Sequence, residues 1–525
     1  MGGVSEPVKL PIGWMWASLA DLLTSIETGK SFKCEERPPQ AEEVGVVKVS
    51  AVSWGEYREQ ESKTCLDEQR INPDLFVKSG DFLFSRANTQ ELVGACVIAG
   101  KTSLRVMLSD KILRFNFAKE AMKPWLLRYL GSFAGRSQIE SLASGNQDSM
   151  RNIGQVNIGR IQVPIAPRAE QTRIVAKLEE LLSDLDAGVA ELKAAQKKLK
   201  QYRQSLLKAA VEGALTADWR AKNTPSETGA QLLTRILTER RARWEAKQLA
   251  KFAEQGKTPP KDWQKKYPEP VQPDTTGLPA LPQGWVWASV DQLAESVRNG
   301  LSKTPNTEGK GFPIFKINAV RPMAVNFSAI KHIELSEADA ADYWVEVGDV
   351  LATRYNGSVD LLGVFGLVKK FSQQTLYPDK LIRMKPVLGG VAGSWLEMCG
   401  NVGFSRAHLV SRVKTTAGQT GISGNDLKKT PIPLPPVDEQ TEILECVGAG
   451  LEHMAYLELP IEHSLRQSAA QRQNILRAAF AGQLVPQDPA DEPASVLLER
   501  IRAERAAQNA AKPARGRKPK VQPNA

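Results

Sequence analysis

The chain carries nearly the same text twice, in the same order. Gly13-Trp14-Met15-Trp16-Ala17-Ser18 returns as Gly284-Trp285-Val286-Trp287-Ala288-Ser289. Gly80-Asp81-Phe82-Leu83 returns as Gly348-Asp349-Val350-Leu351, and Asp110-Lys111-Ile112-Leu113-Arg114 as Asp379-Lys380-Leu381-Ile382-Arg383. The stretch from Pro164 to Thr172, with Glu170-Gln171-Thr172, returns from Pro433 to Thr441, with Glu439-Gln440-Thr441. The offset stays at about 270 residues, far beyond the roughly 20–50-residue periods of solenoids. A whole module is therefore duplicated, and the chain is expected to do one job at two places.

A length of 525 residues exceeds a single core and fits several domain-sized pieces. The net charge of +10 invites a nucleic-acid reading, but it is localised. Ala511 to Ala525 holds Lys512, Arg515, Arg517, Lys518 and Lys520 with no acid. Ile236 to Lys266 holds nine basic residues against four acidic ones, and the remainder sums to about zero. A linker and a tail carry the charge, so a DNA reading has to come from elsewhere. Cys34, Cys65, Cys96, Cys399 and Cys446 are scattered without metal-type spacing and read as free thiols of a reducing cytoplasm. Met1 to Leu10 lacks a signal-peptide layout, which also points to the cytoplasm.

Each copy opens with short Val/Ile/Phe/Trp-rich runs broken by Gly, Asn and Pro, a strand-dominated α+β pattern. A proline-bounded strand, Ile161 to Pro167 or Pro431 to Pro436, closes it. The period then turns helical. Leu178, Leu185, Leu192, Leu199 and Leu206 fall seven apart, interleaved with Ile174, Leu181, Gly188, Ala195, Tyr202 and Ala209. That is a coiled-coil seam over more than four heptads, and Gly188 and Ala195 should let a partner helix approach closely. The expected partner is the equivalent segment Asp438 to Gly482, with Ile443, Val447, Met454, Leu457, Ile461, Ile475 and Ala478 in matching places and Pro460 as a kink. A shorter helix follows each long one, near Gly229 to Gln248 and Ala494 to Gln508.

No standard catalytic constellation is present. Gly29-Lys30-Ser31 resembles the end of a phosphate-binding loop, but Thr24 stands where the upstream glycine is needed. His332, His408, His453 and His463 lack metal-ligand spacing, so no metal site is expected. Asp379 with Asp426 and Lys428 imitates a nuclease set, yet the first copy has Asn157 and Gly159 where the second acid and the lysine should stand.

Bipartite recognition fits better. Base and phosphate readout uses Arg, Asn, Gln and Lys presented on loops. The candidate DNA-binding residues are Lys48, Ser50, Arg86, Asn88, Gln90, Gln147 and Arg151 in the first copy, and Lys316, Asn318, Arg354, Asn356 and Gln419 in the second. Residues identical in both copies are expected to hold turns, and those that differ to read sequence. A rival from another class, a coiled-coil scaffold with two β-rich protein-binding modules, keeps the duplication but drops the DNA.

The ordered set resembles the specificity subunits of type I restriction–modification enzymes. It rests on the Gly-Trp-x-Trp starts, the Gly-Asp pairs, and the Pro-x-x-Pro-x-x-Glu-Gln-Thr entry to each long helix. The resemblance implies two target recognition domains, at 1–167 and 281–436. It implies spacer helices at 168–213 and 437–482 that pair as an antiparallel coiled coil. From composition and pattern rather than from the resemblance, an extra helix and Pro/Lys-rich linker are expected at 214–280, a short helix at 483–510 and a basic disordered tail at 511–525. The basic stretches Ile236 to Lys266 and Lys512 to Lys520 fall outside the shared core. The resemblance implies as partners double-stranded DNA, two methylation subunits and restriction/translocase subunits. S-adenosylmethionine, ATP and Mg would belong to those partners, with no catalytic residue and no cofactor in this chain.

Overall fold

Each module closes on itself by pairing its first strand with its last. Met15–Ser18 runs antiparallel to Gln162–Ile165, with Trp16 opposite Pro164. Val286–Ser289 runs antiparallel to Pro431–Leu434, with Trp287 opposite Pro433. Proline is tolerated there because a two-stranded ribbon leaves its missing N–H on an open edge. This computed structural model describes residues 9–147, 150–370, 373–387, 391–416 and 419–510.

Between those ends lies a four-stranded antiparallel sheet. Its order is Leu23–Thr28, Ile112–Phe117, Phe82–Ser85, Cys96–Ile98 in the first module. In the second it is Ala294–Asn299, Leu381–Pro386, Val350–Thr353, Phe365–Leu367. Both faces are covered, so the central strands read as continuous apolar runs, and Phe82, Leu83 and Phe84 are all fully buried. A helix pair packs on one face: Lys123–Leu130 with Phe133–Leu142, and Val391–Asn401 with Gly403–Ser411. A smaller sheet packs on the other. It is three-stranded in the first module, where Val44–Val47 pairs antiparallel with Ser62–Cys65 on one edge and parallel with Arg105–Met107 on the other. In the second it is the ribbon Phe312–Phe315 with Ile330–Ile333. The expected α+β class stands.

The chain divides into two compact units, residues 1–193 with 462–525 and residues 194–461. The division falls within both long helices, Arg168–Val211 and Val437–Phe480, each of 44 residues. Inside the first unit, Ile174, Leu178 and Leu182 share a core with Leu476 and Ala479, and Arg472 pairs with Asp186. Inside the second, Leu207 and Ala210 share a core with Ile443 and Val447. Rising numbers on one helix meet falling numbers on the other, so the long helices pair antiparallel.

Some seam details differ from expectation. A Cβ at Gly188 would meet nothing within 4 Å, whereas one at Gly450 would lie 2.6 Å from Leu206. The close approach is therefore at Gly450. Leu185, Leu192, Leu199 and Leu206 are half-buried, as a two-helix seam with open flanks requires, and Met454 is buried with Ile461 half-buried. Tyr202, 58% exposed, and Leu457, 38% exposed, stand outside the seam. The seven-residue count drifts against the 3.6-residue turn, which carries such positions off the contact line. The second helix continues through Pro460 without a break.

The helices after the long ones are Gly229–Glu254 and Ala494–Ala510. Leu232 and Ile236 enter the second core, and Leu497, Leu498 and Ile501 enter the first. The Pro/Lys-rich segment that follows Glu254 is anchored. Trp263 stacks on Trp244 at 5.8 Å, and Arg240 Nη1 donates to the Tyr267 hydroxyl at 2.6 Å. Among the described residues no helix is long and apolar enough to cross a membrane, and all five cysteines are unpaired. The basic tail from 511 lies outside the described residues.

Candidate nucleic-acid interface

The repeated motifs explain each other physically. Gly80 and Gly348 take φ of +86° and +95°, where a side chain would be strained. The aspartate that follows each glycine ties the turn: Asp81 accepts from the Lys78 amide at 2.9 Å and Asp349 from the Glu346 amide at 2.8 Å. Each carboxylate also faces the arginine of the Asp-Lys-x-x-Arg motif, Arg114 at 3.0 Å and Arg383 at 3.8 Å. Burial pushes the Asp349 carboxyl above its ordinary value, against the turn amide and Arg383. These shared residues build the frame, as expected for positions identical in both copies.

The frame presents one arginine per module in the same way. The Arg86 amide donates to the Lys111 carbonyl at 2.9 Å, and Ile153 donates to the Arg86 carbonyl at 2.9 Å. The Arg354 amide donates to the Lys380 carbonyl at 2.8 Å, and Ile422 donates to the Arg354 carbonyl at 2.9 Å. Beyond the backbone the copies part. Arg86 Nε donates to Asn152 Oδ1 at 3.3 Å. The Arg354 guanidinium lies over the Tyr355 ring at 4.8 Å and donates through Nη1 to the Asp379 carbonyl at 3.4 Å.

In the first module three loops distant in sequence converge. Asn88 pairs with Arg151 across the ribbon of Ala87–Asn88 and Met150–Asn152. Asn88 Nδ2 donates to Ser53 Oγ at 3.1 Å, which brings in the loop of Lys48 and Ser50. Ser50 Oγ donates to Glu61 at 2.7 Å, and Lys48 faces Glu36 at 3.7 Å. Arg151 donates to the Gly145 and Ala143 carbonyls at 2.8 and 3.0 Å, which braces its own hairpin. Gln90 is exposed. Trp54, 59% exposed beside Ser53, was missed in the sequence because one tryptophan in a loop has no pattern around it.

In the second module the Asn356 amide donates to the Thr420 carbonyl at 3.4 Å, joining that loop to the hairpin of Lys414–Thr416 and Gln419–Gly421. Lys316 and Asn318 line a cleft of about 460 Å³ together with Lys303, Lys331, Asp379 and Lys380. The Arg354 contact to Asp379 ties the arginine loop to this cleft. The side chains of Gln147 and Gln419 lie outside the described residues. Among the described residues no group of three His, Cys, Asp or Glu side chains could hold a metal ion.

No family model matches the chain. It is 29% identical over 527 residues to the type I restriction enzyme EcoKI specificity subunit of Escherichia coli (strain K12), a match covering 97% of this chain and 98% of that one. It is 24% identical to the StySPI specificity subunit of Salmonella potsdam, again over 97% and 98% of the two chains. A solved chain described under the structural basis of complex assembly and conformational transition of the type I R-M system shares the fold. Its TM-score is 0.56 at 18% identity, covering 91% of this chain and 100% of that one. With the duplicated frame, the antiparallel helices and the relatives in agreement, this chain is similar along nearly its whole length to the specificity subunits of type I restriction enzymes.

Proposed function

We propose that this chain is the DNA sequence-recognition subunit of a type I restriction–modification complex. Its two modules read the halves of an asymmetric bipartite target, and its helical spacer docks methylation and restriction subunits. The observation that carries this reading is the pair of identically built arginine loops, Arg86 and Arg354, whose backbone bonds match while their side-chain surroundings differ. Matching frames set a common docking geometry, and differing side chains select different bases.

The chain binds and positions, and its partners carry out the chemistry. Two methylation subunits with S-adenosylmethionine, and restriction/translocase subunits with ATP and Mg, would act on the DNA that this chain selects. The setting is the cytoplasm, where that DNA lies. Methylome sequencing of a strain expressing the chain with its neighbouring methylation subunit tests the reading. The expected motif is asymmetric and in two parts, and a continuous or palindromic motif overturns it. The purified chain alone is expected to methylate and cut nothing; activity after rigorous removal of partners would restore an enzymatic reading.

A further inference from the structure

The two modules hold the same pair of lysines in opposite electrostatic states. In the first, Lys63 stands opposite Val46 in the ribbon, and the Lys48 amide donates to the Glu61 carbonyl. In the second, Lys331 stands opposite Ile314, and the Lys316 amide donates to the Ala329 carbonyl. The register thus makes each lysine pair diagonal neighbours on one face of its ribbon. Two like charges so placed repel unless an acid or a bound anion lies between them.

The first module supplies the acid itself. Glu36 pairs with Lys63 and faces Lys48 at 3.7 Å. The Lys63 hydrogen bond, the largest influence, holds the Glu36 carboxyl below its ordinary value. The second module lacks that acid. Glu35 bridges Thr64 and Asn306 bridges His332, so the residue opposite the outer lysine is Glu36 in one copy and Thr307 in the other. Among the described residues neither Lys316 nor Lys331 has a carboxylate within 4.0 Å. Both line the cleft with Lys380 and with Lys303, whose Nζ donates to the Glu334 carbonyl at 2.9 Å. Among the described residues Asp379 is the one acid in that lining, and it accepts from Ser302 at 3.4 Å.

We infer that the second module's cleft is a binding site for the sugar–phosphate backbone of DNA, seated on Lys316 and Lys331, while the matching site in the first module is closed by Glu36. This rests on the DNA-recognition reading and adds an asymmetry to it: the half-sites differ in electrostatic grip as well as in sequence. Phosphate contacts release counter-ions, so each adds about 0.9 to the slope of log affinity against log salt.

The test is a salt titration of DNA binding by the full chain assembled with its methylation subunits. The probes are a duplex carrying the motif found by methylome sequencing and a duplex of scrambled sequence. Lys316→Ala with Lys331→Ala is expected to lower the slope by about 2 on both duplexes. Lys63→Ala, whose charge Glu36 already offsets, is expected to leave it unchanged. Thr307→Glu, which restores the first module's acid at an exposed position, is expected to lower the slope with every lysine in place. An unchanged slope in the first variant, an equal fall in the second, or a fall confined to the target duplex overturns the cleft. A wild-type complex that binds both duplexes alike overturns the DNA-recognition reading itself.

Discussion

Trp14 Nε1 donates to Glu170 Oε2 at 2.9 Å across 156 residues, tying the start of the first module to the start of its long helix. Trp285 Nε1 donates to Glu439 Oε2 at 2.8 Å in the second module. The aromatic of each Gly-Trp-x-Trp start and the acid of each Glu-Gln-Thr entry are therefore two ends of one bond. The surroundings of the two acids differ. Glu439 also accepts from Arg220 Nη2 and Thr216 Oγ1, both at 2.7 Å, and its side chain is fully buried. Arg173, one turn along the helix from Glu170, pairs instead with Asp491 at 2.6 Å.

Equivalent substitutions should consequently have unequal effects. Burial, the largest influence, pushes the Glu170 carboxyl above its ordinary value despite the Trp14 hydrogen bond. A carboxyl raised in this way binds more protons folded than unfolded. Its contribution is fully present below the ordinary carboxylate range and is lost as pH rises through the raised value. Glu170→Gln keeps an acceptor for Trp14, so urea denaturation at neutral pH should find it as stable as wild type or more so. The difference should shrink toward acid pH. Glu439→Gln loses the Arg220 ion pair and should cost about 1.5–3 kcal/mol at neutral pH. Equal losses in both variants would refute the contrast.

Gly29 and Gly300 invite a second comparison. A Cβ at Gly29 would lie 1.8 Å from the Leu108 carbonyl oxygen, and one at Gly300 2.2 Å from that of Pro378. Gly29 of the apparent phosphate-loop ending therefore serves close packing of backbone on backbone. Alanine at either position should destabilise by about 1–3 kcal/mol through overpacking. Gly188→Ala, in a helix with open space around it, should stabilise by up to about 1 kcal/mol. Thermal unfolding of the three variants checks the order.

The frame was legible in the sequence because it is written twice with the same residues. Gly80 with Asp81, and Arg114 of the later motif, recur as Gly348, Asp349 and Arg383, and each set proves to be one turn and one ion pair. The long helices were legible because heptads are periodic, although the count put Tyr202 and Leu457 in the seam. The cleft was not legible. Its charge depends on Glu36 against Thr307, single residues whose equivalence appears only through the bridges to Thr64 and His332. Arg151 is expected from the sequence as a DNA contact, and nothing in the sequence marks the two carbonyls, of Gly145 and Ala143, that hold its guanidinium.

The Pro/Lys-rich segment behind Glu254 should respond to one aromatic. Trp244 carries both Trp263, stacked at 5.8 Å, and Tyr267, edge-on at 5.4 Å. Trp244→Ala removes that platform while Leu232 and Ile236 keep the helix in its core. Limited trypsin digestion should then cut faster at Lys257, Lys261, Lys265 and Lys266, with an unchanged thermal midpoint. Cleavage at the wild-type rate would mean that the segment is held by something other than these rings.

The helical spacer gives the most direct link from structure to target. Asp186 pairs with Arg472, so Leu185 to Glu191 lies beside Gln467 to Gln473 on the antiparallel partner. Deleting both heptads removes about 10 Å of each helix and keeps the seam in register. That length is close to three base pairs at about 3.4 Å each. Methylome sequencing should show both half-site sequences unchanged and the gap between them shortened by about three base pairs. Deleting Leu185 to Glu191 alone leaves its partner's heptad unmatched, and the complex should fail to assemble on size-exclusion chromatography. An unchanged gap with full methylation after the paired deletion would refute the spacer's role, because a helix that sets a distance cannot lose two turns without moving what it separates.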